Sequence, residues 1–164
     1  MLSQLVVPLG QQQAVNVGAV LGSGLFGALV GAAIFSLIGA FFLKGAISFT
    51  QKIRGSDAIV EGGYGKAYGT VFIASFLSGL ISVVLLAILA LTGNFNPEQP
   101  TAAQQGLNLV SSVFGLAFLA YFIKTRHNAD NWGTAAMAVL FYILLAIAIV
   151  LLIGVVLFGV SLVM

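Results

Sequence analysis

The sequence predicts an all-α membrane protein, a bundle of four transmembrane helices, because it is poor in charge and contains four uncharged apolar stretches. The chain has 164 residues, of which 60% are hydrophobic and 6% are charged, whereas a soluble domain carries roughly 25% charged residues. A soluble fold of this length would have too few charges to cover its surface. Each stretch is of the order of the ~20 apolar residues that cross a bilayer.

The four stretches set the expected helix boundaries. We predict helices at about 17–43, 68–91, 105–123 and 133–162, which together form one membrane domain over 1–164. Helix 1 either ends near Lys44, whose long side chain reaches the headgroups, or continues as a short amphipathic extension along the interface. Residues 1–17 contain no Lys or Arg and lack the basic start of a secretory signal, so we expect helix 1 to stay in the mature protein.

The cations predict the orientation in the membrane. They lie at the end of helix 1, between helices 1 and 2, and between helices 3 and 4, whereas the termini and the connection 93–104 contain none. Cytoplasmic segments are enriched in Lys and Arg, so both termini should face the non-cytoplasmic side. We expect a multi-pass protein of the cytoplasmic membrane or of a membrane derived from it. The expected cytoplasmic-face anchors are Lys44, Lys52, Arg54, Lys66, Lys124 and Arg126.

Small residues form the most informative pattern in helix 1. They recur at helical spacing and let another backbone approach closely. Two interpretations stay open, namely packing within the bundle and an interface with another subunit or a second copy of the chain. The residues of this helix-packing or oligomer interface are Gly18, Gly22, Gly24, Gly27 and Gly31.

Weakly polar residues form similar stripes in helices 2 and 3. In lipid, such side chains favour close packing and interhelical hydrogen bonds of about 0.6–2 kcal/mol. The same stripes are also compatible with the lining of a small polar path. The residues of this possible path are Ser75, Ser78, Ser82, Asn108, Ser111 and Ser112.

Helix 4 differs because it is apolar on every side. The uncharged run 133–164 would measure about 48 Å as a helix, against a hydrocarbon core of about 30 Å. Tilting or bending near Gly154 and Gly159 would accommodate this excess, as would burial of the C-terminal end against another subunit.

The sequence contains no recognisable set of catalytic or metal-binding residues. The chain contains no Cys and one His, His127, which is too few for a zinc, haem or iron–sulfur ligand set. The glycine-rich connection 55–66 fails the Walker A and G-x-G-x-x-G spacings, so it is read as a connector. We therefore predict no catalytic residue and no metal site, and the sequence assigns no cofactor, although its abundant Phe is also compatible with a pigment- or quinone-binding subunit.

These observations favour a non-catalytic membrane subunit that oligomerises or stabilises a larger assembly. Its expected partners are the lipid bilayer and either further copies of the chain or other membrane subunits. Six scattered cations make no basic patch for nucleic acid. The alternative is a small channel or permease for a neutral solute. Pumps and ion-coupled carriers are disfavoured because no Asp, Glu, Lys, Arg or His lies within a predicted span.

Overall fold

The computed structural model describes residues 17–92 and 101–161, and over these ranges the chain forms four α-helices and no strand. The helices are α1 Val17–Arg54, α2 Tyr64–Leu91, α3 Ala102–Arg126 and α4 Trp132–Ser161. Each is long and apolar enough to cross a membrane. The prediction of an all-helical, multi-pass arrangement is therefore confirmed for the described residues.

Helix α1 is longer than the predicted span that ended near residue 43. It continues without interruption to Arg54, so the expected amphipathic extension is part of the same helix. The α1–α2 connection folds back over this part of α1, where Gln51 Nε2 donates to the carbonyl of Ile59 at 2.8 Å. Packing against the connection and α4 explains why the extension does not lie flat on a membrane surface. The fully buried side chains of this extension are Ala46, Ile47 and Thr50.

Helices α2 and α3 begin four and three residues before their predicted starts, and α4 begins one residue before its predicted start. α3 begins at Ala102 because Thr101 and Gln104 form a capping box. Gln104 N donates to Thr101 Oγ1 at 3.2 Å, and Thr101 N donates to Gln104 Oε1 at 2.7 Å. These bonds satisfy two backbone groups that a helix start leaves without partners.

The helices are arranged as a ring in which each contacts its two neighbours. Among the described residues, α1 packs on α2 and α4, and α3 packs on α2 and α4, while the diagonal pairs do not contact each other. We call the end with the α1–α2 and α3–α4 connections the loop end, and the other the open end.

Small residues allow the closest approach between α1 and α2. A Cβ added to Gly79 would lie 2.9 Å from the Cβ of Ala28, and one added to Gly24 would lie 3.0 Å from Val83. A side chain at Gly79 would require α1 and α2 to shift, and one at Gly24 would require Val83 to give way. The α1–α2 contact therefore depends on residues that bring the two backbones together, as is common in membrane helix pairs.

Helix α4 packs only along its first half. Ala135, Ala138 and Val139 are buried at the loop end, and Phe141 contacts Phe49 of α1 with ring centroids 5.9 Å apart. Every residue from 147 to 156 is exposed, so the other described helices cover little of this part of α4. We call residues 147–156 the distal segment of α4.

Gly79→Leu should destabilise the bundle by about 1–3 kcal/mol, because the added side chain overpacks the α1–α2 contact. Gly22→Leu is the matched control, since a Cβ at Gly22 meets nothing within 4 Å. Thermal unfolding of both variants in lipid nanodiscs measures the difference. Equal stability of the two variants would contradict the close approach at Gly79.

Candidate functional site

The five glycines predicted as an interface fall into three environments. Gly18 and Gly22 are exposed near the start of α1. Gly24 packs against Val83 of α2 within the bundle. Gly27 and Gly31 have open space where a side chain would stand, and both line a cavity.

This cavity lies in the middle of the helix ring and has a volume of about 550 Å³. It occupies the gap between α1 and α3, with α2 as its back wall, and α4 contributes Tyr142. On α2 its lining extends from Val71 to Ser82, which is about 10–27 Å from the start of that helix at 1.5 Å per residue. The cavity is therefore at the depth of the hydrocarbon core.

Four of the six residues predicted to line a polar path lie together in this cavity. Ser75, Ser78, Ser82 and Ser112 line the cavity, whereas Asn108 and Ser111 do not. Asn108 is exposed, and its carbonyl accepts the hydroxyls of Ser111 at 3.0 Å and Ser112 at 2.8 Å. The cavity thus combines part of the glycine stripe with part of the serine stripes, which the sequence interpretation treated as separate features.

A hydrogen bond between α2 and α3 forms one edge of the cavity. Ser78 Oγ donates to the carbonyl of Ser111 at 2.7 Å. Gly115 makes room for it, since a Cβ there would lie 2.9 Å from Ser78 Oγ. The bond joins the two helices in the span, where such bonds typically contribute about 0.6 kcal/mol.

The cavity opens to the outside laterally and is closed towards the loop end. Phe35 and Ser112, both part of its lining, are exposed. Towards the loop end lies a layer of side chains with no solvent exposure, which blocks a continuous path along the bundle axis in this conformation. That layer includes Leu43, Ile47, Ile59 and Ile123.

The six cations gather around the loop end. Lys44 Nζ lies 3.4 Å from Glu61 Oε1, and Lys124 Nζ donates to the carbonyl of Ala129 at 2.7 Å. Arg126 extends over Gly69 of α2. The remaining three, Lys52, Arg54 and Lys66, also belong to the last turn of α1 or the first turn of α2.

His127 joins the two connections at the loop end, which sequence reasoning missed. Its side chain is fully buried, with Nδ1 2.9 Å from the carbonyl of Val60 and Nε2 3.2 Å from Thr70 Oγ1. The backbones also pair, since Val60 N donates to the carbonyl of His127 at 2.8 Å and Asp130 N to that of Ala58 at 2.9 Å. We call this set of contacts the His127 clamp.

The clamp gives His127 a defined proton arrangement. Nδ1 faces the carbonyls of Val60 and Glu61, so it carries the hydrogen in the neutral ring, and Nε2 lies beside the hydroxyl oxygen of Thr70. Burial lowers the pKa of His127 below its ordinary value of 6.5, and the charges of Lys66 and Arg126 lower it further against the opposing effect of the two carbonyls. The neutral imidazole is therefore the form that the fold favours.

Comparison of the chain with protein-family models, curated proteins and solved structures finds no match. Among the described residues, no group of three or more His, Asp or Glu side chains is placed to hold a metal ion. Two features of the described chain are left uncovered by its own helices, namely the cavity and the distal segment of α4.

Stability should fall as the pH drops below about 6.5, because the unfolded chain then binds a proton at His127 more readily than the folded chain does. The contribution of the neutral ring is complete above the unfolded pKa and is lost as the pH falls towards the lowered folded pKa. Unfolding in micelles between pH 7.5 and 5 measures this slope. Because His127 is the only histidine, His127→Gln should be less stable at pH 7.5 but nearly flat over the same range. A wild-type slope that persists in this variant would contradict the assignment.

Proposed function

We propose that the chain is a non-catalytic subunit that oligomerises or stabilises a larger membrane protein assembly. The observation that carries this proposal is the distal segment of α4, where every residue from 147 to 156 is exposed. Three of its members, Val150, Leu151 and Val155, have 63–70% of their surface exposed. A helix that leaves its own bundle in this way presents its whole circumference to another molecule.

Contact with lipid alone does not favour a distal segment that is separated from the other helices. Lipid chains are as apolar as Leu or Val, so the segment gains no hydrophobic free energy by moving from lipid to another helix. Close packing between helices supplies the attraction instead. A protein partner offers denser and more regular contacts than fluid lipid does. Packing against a second copy or another membrane subunit would supply the contacts that α1 to α3 do not provide.

The partner surface that fits this segment is apolar and uncharged. The segment contains no ionisable or hydroxyl side chain, so a charge placed against it would lose its hydration without gaining a counter-charge. Another transmembrane helix satisfies this condition. The expected partners are therefore integral membrane proteins, including the chain itself, and not nucleic acid.

The orientation forms part of the proposal. Lys44, Lys52, Arg54, Lys66, Lys124 and Arg126 all lie around the loop end, and the described residues of the open end contain no Lys or Arg. A cationic end favours the cytoplasmic face and its anionic lipids. We place the loop end in the cytoplasm and both termini on the other side of the cytoplasmic membrane or of a membrane derived from it.

A small channel or permease for a neutral solute is the second candidate. It is supported by the location of Ser75, Ser78 and Ser82 in the cavity at membrane depth. It is the weaker candidate because the buried layer around Leu43 and Ile47 lies between the cavity and the loop end. Solute flux into liposomes that is abolished by Ser75→Leu would favour it over the subunit proposal.

Cysteines placed in the distal segment should cross-link between copies if the chain associates with itself. The chain contains no natural Cys, so Val150→Cys, Leu151→Cys and Ile153→Cys can be compared on an unreactive background. We expect oxidative dimers at positions three or four residues apart, because one face of a helix meets the partner. Electrophoresis without reductant, together with native mass spectrometry in nanodiscs, measures them.

Ala135→Cys is the matched control for these cross-links, since Ala135 belongs to the same helix and is fully buried in the bundle. It should give no dimer. A strictly monomeric mass with no co-purifying membrane protein, combined with no cross-link along the distal segment, would contradict the subunit proposal.

Labelling with a membrane-impermeant maleimide tests the orientation. Ser56→Cys lies in the exposed α1–α2 connection, and a cysteine appended after Met164 reports the C-terminus. We expect the appended cysteine to react in intact cells and Ser56→Cys to react only after permeabilisation. The opposite pattern would invert the proposed orientation.

A further inference from the structure

The cavity between α1 and α3 contains hydroxyl groups without hydrogen-bond partners in the described chain. These belong to Ser75 and Ser82 of α2 and Tyr142 of α4, all of which line the cavity. Other helical hydroxyls here behave differently, since Thr50 and Thr70 each donate to the carbonyl four residues earlier, at 2.8 and 2.9 Å. Three polar groups at membrane depth are thus available to something inside the cavity.

The oxygen atoms of these hydroxyls can be reached from the cavity. No fully buried side-chain oxygen or nitrogen in the described chain lacks a hydrogen-bond partner, so the three unpartnered oxygens retain accessible surface. Ser75 and Ser82 lie two helical turns apart, about 10 Å along α2. Tyr142 stands near the closed side, where its hydroxyl oxygen would lie 2.9 Å from a Cβ added to Gly39. The hydroxyls therefore follow the length of the cavity.

The wall that α1 contributes is lined mainly by small residues without polar side chains. On α1 it consists of Gly27, Gly31 and their neighbours Ala28 and Ala32, and an added Cβ at either glycine meets nothing within 4 Å. None of the residues that line the cavity carries a charge. A charged ligand would enter such a site without a counter-ion and at a large desolvation cost.

We infer that the cavity is a binding site for a neutral, bilayer-soluble molecule with carbonyl or hydroxyl oxygens on an apolar body. Its volume of about 550 Å³ is within the 300–1,000 Å³ that is typical of small-molecule sites. The ligand's oxygens pair with Tyr142, Ser75 and Ser82, and its apolar body lies on the glycine-lined wall of α1. It enters from the lipid through the lateral opening at Phe35 and Ser112.

Two sources share this chemistry, namely a membrane quinone and an uncharged glycerolipid. Both carry carbonyl oxygens on apolar chains, and both dissolve in the bilayer. This inference goes beyond the proposed subunit role and does not depend on it, because it concerns the number of ligands per chain and not the number of chains per assembly.

Native mass spectrometry of the full chain in detergent, titrated with decylubiquinone or with dioctanoylglycerol, tests the inference. We expect one molecule of at least one probe per chain, and the probe that binds identifies the source. Gly31→Leu should reduce occupancy at least tenfold because the new side chain fills the cavity. Gly22→Leu is the matched control on the same helix, since Gly22 also has open space but does not line the cavity.

The hydroxyls are tested separately by variants that keep the shape of the site. Ser75→Ala and Tyr142→Phe should each weaken binding of the probe about fivefold, which is the size of one net hydrogen bond. Thermal unfolding without probe checks that both variants remain folded. Binding of neither probe, binding that Gly31→Leu and Gly22→Leu affect equally, or binding unchanged in both hydroxyl variants would overturn the inference.

Discussion

The His127 clamp joins the two helical hairpins at the loop end. The imidazole sits between the carbonyls of Val60 and Glu61 on one side and Thr70 on the other, and backbone bonds pair 58–60 with 127–130. In a membrane bundle the helices gain little from burying apolar side chains against each other, so directional bonds at their ends have a large effect on their arrangement. The clamp holds the α1–α2 connection and Thr70 of α2 against the end of α3 and the α3–α4 connection.

The contrast between the two ends of the bundle follows from this arrangement. At the loop end, hydrogen bonds and fully buried side chains such as Leu43 and Ile123 hold all four helices together. Towards the open end, α1 and α2 approach through Gly24 and Gly79, and α2 and α3 through Ser78 and Gly115. Residues 147–156 of α4 are exposed, and none of them belongs to the buried core of the described chain.

Small residues serve two purposes in α1. Gly24 allows contact with α2, whereas Gly27 and Gly31, which lie slightly further along the helix, leave space that no side chain of the described chain fills. The proposed subunit role and the inferred ligand site both depend on apolar surface that the single chain leaves uncovered. The two remain physically distinct, because the distal segment has no hydroxyl group and the cavity has several.

The sequence by itself determined the class of the protein, the four apolar helices and the collection of the cations at one end of the bundle. These properties depend on local composition and on the length needed to cross a bilayer, and both can be read along the chain. The sequence also identified the glycine and serine stripes, because helical periodicity places such residues on one face.

Only the tertiary structure decided which stripes meet. The glycines of α1 and the serines of α2 share a cavity because α1 and α2 are neighbours in the ring, and helix periodicity contains no information about which helices are neighbours. Tyr142 could not be assigned to the cavity from an otherwise apolar helix. The same holds for His127, whose partners at Val60 and Glu61 lie 67 and 66 positions away in the sequence. Contacts over such separations depend on how the helices pack, which a pattern within one helix does not specify.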